Sequence, residues 1–203
     1  MQVMRWLVLY LRSRRAPLAL AVTVGCAVLM WSLWAVASRS REVGLPLVIL
    51  TVLLMVSALT PTLVSPDAAL DRTAALPWAP RRAAHVLAAM LVVVGLLAVT
   101  LVTPATFSPG LLVVRDTVGL LGLTALGATV LSPARSWFVP LGWTLAAILF
   151  PESETHLQQA LTWQAQDPRS GAAAATAVAL ASAGLLAYTL IGPPRRSAAE
   201  VPA

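Results

Sequence analysis

The sequence predicts an all-α polytopic membrane protein: six transmembrane helices, an N-terminal interfacial helix before them, and both termini cytoplasmic. Three observations carry that expectation. Hydrophobic residues make up 59% of the 203 and charged residues only 11%, against about 25% charged in a soluble domain. That leaves too little polar surface to cover a water-exposed globule. The charges gather between long uncharged runs. All fourteen cations, set against eight acids for a net charge of +6, are arginines, and their placement follows the positive-inside rule.

A helix needs about 20 apolar residues to cross the hydrocarbon core. Runs at 16–38, 43–65, 83–105 and 171–193 meet that length. A fourth span in chain order, 109–131, does so if it takes in Arg115 and Asp116. The fifth, 134–151, is interrupted by Pro140 and is marginal, so five spans plus a re-entrant segment is the alternative reading. Residues 1–15 read as an element of their own. They are mainly apolar, carry Trp6 and Tyr10, and place Arg5 and Arg12 on one helical face, a pattern suited to a helix lying in the headgroup layer. The alternative is an unstructured basic leader. Residues 16–194 form the transmembrane domain, with a cytoplasmic loop at 66–82 and an outer loop at 152–170. Residues 195–203 form a cytoplasmic tail.

With the N-terminus inside, Arg5, Arg12, Arg14, Arg15, Arg72, Arg81, Arg82, Arg135, Arg195 and Arg196 face the cytoplasm, and Arg39, Arg41 and Arg169 face out. Trp31 and Trp34 then fall near the outer end of span 1, where indole rings favour the interface. A signal-peptide reading would use Arg14 and Arg15 as the basic region and Ala35-Val36-Ala37 as the cleavage site. The apolar run exceeds the usual h-region of about 7–15 residues, so it reads as a retained span. The expected location is a bacterial inner (plasma) membrane.

Composition excludes several chemistries. The sequence has no Lys, so it lacks a P-loop lysine and a Schiff-base lysine. Its single cysteine, Cys26, can form no internal disulfide and lies in an apolar run, where a lone Cys packs as a small hydrophobe. The arginines lie between membrane runs, which reads as topology rather than as nucleic-acid binding. Glu152, Glu154 and His156 could ligate a metal, but their alternate spacing suits a solvated loop better than a helical zinc motif. His85 reads as an interfacial residue, and no Gly-x-Ser-x-Gly elbow is present. The chain is therefore expected to be neither an enzyme nor a cofactor binder.

Arg115 and Asp116 are the ionisable pair inside a predicted span, each costing roughly 2.5–3.5 kcal/mol on insertion scales unless paired or hydrated. They could line a polar route or tie span 4 to another helix. The reading the sequence favours is that they sit at the outer interface with Arg115 snorkelling. Span 4 also carries Gly119, Gly122, Ala125 and Ala128 at three-residue steps, and span 6 carries Ala173, Ala177 and Ala181 at four-residue steps. Such small residues let helices approach closely, within one bundle or across a dimer.

The loop between spans 2 and 3 is the most informative stretch. Asp67 follows Pro66, and Asp71 comes one turn later on the same face. Leu70, Ala74 and Leu76 give an apolar side, and Pro77 and Pro80 end the segment. This predicts a short amphipathic helix, acidic at its start and basic at its end, with an ordinary solvated loop as the alternative. Together with six spans and an interfacial N-terminal helix, the path from this acidic helix through Leu76-Pro77 and Arg81-Arg82 into span 3 resembles the permease subunit of an ABC-2-type exporter.

The resemblance implies that the loop is a coupling helix docking on a separate ATPase subunit. Asp67, Asp71, Arg72, Arg81 and Arg82 would form the contact surface, and Leu70, Leu76 and Trp78 its apolar anchors. Asp71 stands where the family pattern has Glu. The resemblance further implies a second permease subunit, alike or homologous, and a lipid bilayer as surroundings, with ATP hydrolysis left to the partner. The outer segment Leu157–Trp163 could form a short helix like the family's re-entrant or interfacial one. The alternative function is a non-transporting membrane protein, an immunity, scaffold or sensor subunit.

Overall fold

The computed structural model describes residues 11–12, 14–63, 78–131, 135–150 and 155–194. Most of the expected interfacial segment, the acidic part of the coupling loop, Glu152, Glu154 and the tail lie outside the described residues.

Every described element is helical, apart from one isolated bridge between two loops. Helix α1 (Ala16–Ala37) begins after Arg15, which holds a left-handed conformation at φ 54°, and takes Pro17 into its first turn. Proline is tolerated there because the first N–H groups of a helix have no carbonyl to meet. Helix α2 (Leu45–Leu59) starts the same way with Pro46 and tightens into a 3₁₀ turn, Thr60–Leu63. Helix α3 (Trp78–Val99) runs into a second 3₁₀ turn, Thr100–Val102, ahead of Pro104. Helix α4 (Gly110–Val130) follows Pro109. Helix α5 (Phe138–Leu149), the short helix α6 (His156–Leu161) and helix α7 (Gly171–Leu190) complete the chain. Ser170 caps α7 by accepting from the Ala173 N–H at 3.3 Å.

Five of these helices, α1, α2 with its 3₁₀ extension, α3 with its extension, α4 and α7, are long and apolar enough to cross a membrane. Their bounds fall within a few residues of the predicted runs except at one place. Helix α3 starts at Trp78 rather than at residue 83, so Pro80, Arg81 and Arg82 are helical instead of lying in the loop. Pro80 does not end a helix. It sits in the first turn of one, as Pro140 does in α5. The fifth predicted span is realised as the twelve residues of α5, too short by itself for a membrane of about 30 Å at 1.5 Å per residue.

Helix α4 is the axis of the bundle, with most of its length buried, whereas α1, α3 and α7 turn wide apolar faces outward. The closest packing joins α4 to α7. A Cβ on Gly122 would come within 2.5 Å of the Ala181 Cα and the Leu180 carbonyl, and one on Gly184 would strike the Gly122 backbone. The small residues predicted to allow close approach therefore do so within the chain. Hydroxyls inside these apolar helices are satisfied locally. Thr23, Thr51, Thr124 and Thr144 each donate to the carbonyl four residues back, at 2.6–2.9 Å, which spares them the cost of an unmade bond in an apolar medium. Cys26 is half-buried and packs against the core.

Polar contacts bind the two ends of the bundle. At one end, the loops after α1 and before α4 exchange backbone bonds, Val43 N–H to Thr106 O at 3.0 Å and Thr106 N–H to Arg41 O at 2.7 Å. There the Trp31 indole donates to Thr103 Oγ1 and that of Trp34 to Ser40 O, both at 2.9 Å. At the opposite end, Arg14 is buried and donates to Thr62 O at 3.3 Å. His85 Nε2 meets Thr62 Oγ1 at 2.9 Å. The Tyr188 hydroxyl donates to Leu63 O, and Arg82 donates to Thr189 O at 3.4 Å.

Candidate functional site

The residues predicted to face a partner divide in two. Asp67, Leu70, Asp71, Arg72 and Leu76 lie outside the described residues. Trp78, Arg81 and Arg82 form the first turns of α3, where the Arg81 guanidinium stacks 5.4 Å from the Trp78 ring centroid. A guanidinium over an indole face is an attractive pairing. Arg82 turns the other way, toward the C-terminal end of α7, where its guanidinium packs on Gly192 in addition to its bond to Thr189. Gly192 has φ +73°, the left-handed conformation that stops α7 just ahead of Pro193 and Pro194. A side chain at that position would displace the guanidinium.

His85, one turn beyond Arg82, bonds to the 3₁₀ turn that leads out of α2. Arg14, Thr62, Leu63, Arg82, His85, Tyr188 and Thr189 therefore make a clasp. It holds the start of α1, the end of α2, the start of α3 and the end of α7 in one place. Both ends of the 64–77 segment, Leu63 and Trp78, emerge from that clasp.

Arg115 and Asp116 form a second centre, and its geometry differs from the interfacial reading. Arg115 is 6% exposed and Asp116 0%, so the guanidinium does not reach outward to water. It turns inward and donates to Asp116 Oδ1 at 3.2 Å, Gln164 O at 2.9 Å, Gln166 O at 3.1 Å and Asp167 O at 2.9 Å. One cation thus satisfies three carbonyls of a non-helical stretch and a carboxylate. Span 4 is thus tied to the non-helical segment between α6 and α7, where the sequence reading offered another helix.

That segment lies deep in the bundle. The Trp143 indole of α5 donates to Leu161 O at 3.1 Å. The Trp163 ring occupies the space beside Gly119, where any Cβ would collide with it. On α4, Arg115 lies about 7 Å and Gly119 about 13 Å beyond Gly110 at 1.5 Å per residue. The far edge of the Trp163 ring reaches Gly119, and the carbonyls of Gln164, Gln166 and Asp167 meet the guanidinium of Arg115. Irregular backbone at such depth is stable only when buried in protein or facing water, and the Arg115 bonds supply part of that requirement.

The predicted helix in the outer loop is present as α6, with His156 at its start. Trp163 and Gln164, both 0% exposed, are site residues that sequence reading did not single out. Their signal was indirect: a buried charge pair on α4 needs acceptors, and the segment before span 6 had an aromatic residue and an amide side by side.

These features define a polytopic α-helical membrane protein. Comparisons with known protein families, curated proteins and solved structures find no match to the chain.

Proposed function

We propose that the chain is the transmembrane permease subunit of an ATP-binding-cassette exporter, driven by a separate ATPase subunit and paired with a second permease subunit in a bacterial inner membrane. The observation that carries this reading is the clasp. A segment whose two ends leave one polar knot, tied to four membrane helices, transmits a push to all of them at once. A coupling element needs that property. The motif residues Asp67, Leu70, Asp71, Arg72 and Leu76 fall in this segment, and Trp78, Arg81 and Arg82 continue it as rigid helix.

In this reading the clasp is cytoplasmic, with Arg14, Arg81 and Arg82 on the inner side as the positive-inside rule requires. The chain then crosses six times. It leaves α4 at the clasp end, where Gly127 packs against Ser136 and Val139, and re-enters α7 at the opposite end. Helix α5 covers about 18 Å of that return at 1.5 Å per residue. Four residues separate Phe150 from Thr155, and at about 3.3 Å each a chain of that length is enough for the remaining 12 Å or so. Helix α6 and residues 162–167 then form a dip from the outer face. Mechanistically the bundle is a two-state packing device biased by nucleotide on the partner.

The test is co-purification. Full-length chain isolated from its native membrane is expected to bring down a P-loop ATPase, and charge reversal at Asp67 and Asp71 is expected to release it. Isolation without any ATPase sinks the permease reading. Retention of the ATPase by the double reversal sinks the coupling assignment. The other reading, a non-transporting scaffold or immunity protein, draws support from the dense α4–α7 packing and predicts the first of those two failures.

A further inference from the structure

We propose that a small cluster of bound water sits inside the bundle, between α4 and the 162–167 segment, hydrating the free side of Asp116. Three fully buried side chains carry the argument. Among the described residues, Asp116 Oδ2, Trp163 Nε1 and both amide atoms of Gln164 have no hydrogen-bond partner, and all three residues are 0% exposed. Buried polar atoms are nearly always satisfied by protein or ordered water. Four unsatisfied atoms in one part of a membrane bundle therefore call for an occupant.

The atoms belong together. The Arg115 guanidinium touches both the Asp116 carboxylate and the Gln164 carbonyl, so these two residues flank one planar group. Trp163 precedes Gln164 and packs at Gly119, which lies on the same face of α4 as Asp116, one turn on.

The chemistry of the set selects the occupant. Asp116 Oδ2 and Gln164 Oε1 accept, and Trp163 Nε1 and Gln164 Nε2 donate. A metal cation would gain from the oxygens but would face two N–H donors and the neighbouring guanidinium. An anion would face the carboxylate. A neutral species that donates and accepts in equal measure fits all four atoms, and water is that species. Membrane-depth backbone that is not helical is also where water-lined cavities occur.

The experiment is X-ray radiolytic footprinting of the full-length chain in lipid nanodiscs, read by mass spectrometry. Hydroxyl radicals made from bound water oxidise the side chains beside it, even where bulk solvent does not reach. Trp163 is expected to oxidise at a rate within a few-fold of the partly exposed Trp137, and far faster than the buried Phe107. Mixing with ¹⁸O-water just before exposure is expected to leave ¹⁶O on Trp163 for longer than on Trp137, because confined water exchanges slowly. Oxidation of Trp163 as slow as that of Phe107 overturns the proposal, and so does label exchange as fast as at Trp137. A stabilisation of the chain that depends on which alkali cation is present, at fixed ionic strength, would identify an ion in place of water and would also overturn it. The wild-type chain suffices for every arm. As a further arm, Gln164→Leu is expected to reduce Trp163 oxidation several-fold with Trp137 unchanged, and unchanged Trp163 oxidation counts against the assignment.

Discussion

Replacing Arg115 with Met removes a guanidinium that donates to one carboxylate and three carbonyls while keeping an unbranched side chain of similar length. Breaking a buried ion pair from one side costs about 3–5 kcal/mol, because the remaining charge is left without compensation. The three carbonyls lose their donor as well, so the upper part of that range applies. Asp116→Asn is a gentler change. It keeps the Oδ1 acceptor and leaves the three carbonyl bonds in place, so we expect about 1 kcal/mol, the net value of an ordinary hydrogen bond. The double variant Arg115→Met with Asp116→Leu leaves neither charge buried and is expected to recover about 1–3 kcal/mol of the single-variant loss, in the range of couplings between contacting residues. Reversible unfolding in mixed micelles, followed by tryptophan fluorescence, measures all three. Limited proteolysis at residues 150–170 shows whether the damage is local to the segment that Arg115 holds. An Arg115→Met variant within about 1 kcal/mol of wild type would refute the reasoning, since that is well below the usual cost of leaving a buried charge unpaired. So would an Asp116→Asn variant as unstable as Arg115→Met.

Other predictions follow from the packing and the topology. Gly184→Ala forces a methyl into the Gly122 backbone, which has no rotamer by which to yield; overpacking of this kind costs about 1–3 kcal/mol, measurable as a lower melting temperature in detergent. Tyr188→Phe removes the hydroxyl bond to Leu63 O and is expected to lose about 1 kcal/mol in the same assay. In a Cys26→Ala background, single cysteines placed at Arg39, Arg135 and Ser197 are expected to label from the outside, the inside and the inside respectively with a membrane-impermeant maleimide. Outside labelling at Ser197 together with inside labelling at Arg135 would mean that α5 does not complete a crossing.

Most of the architecture was legible because membrane solvation writes it in plain terms. Apolar runs of sufficient length mark helices, and prolines fix their first turns, as Pro17 and Pro46 do. The early start of α3 escaped notice because Arg81 and Arg82 look like loop residues. A charged side chain can extend from a helix end as readily as from a loop, and Pro80 is as much at home in a first turn as at a terminus. The role of Arg115 was harder to see. Local spacing shows an intramembrane charge, but its acceptors are backbone carbonyls, which every residue possesses and which no side-chain pattern announces. Gly119 and Gly122 were legible as places of close approach. What approaches them, an indole ring in one case and the backbone of α7 in the other, depends on tertiary placement.

The Arg115 clamp also bears on how the chain is made. Its acceptors lie 49 to 52 residues downstream. At a synthesis rate of about 5–20 residues per second, α4 emerges roughly 3–10 s before the segment that completes its hydrogen bonds. For that interval the helix carries an arginine and an aspartate with only each other for company. It either waits at the edge of the insertion machinery or enters the bilayer with both charges drawn toward the nearer membrane surface. The final seating of α4 is then a late event, governed by the arrival of Gln164 and Asp167, and the stretch between α6 and α7 acts as a keystone set after the helices on either side of it have been raised.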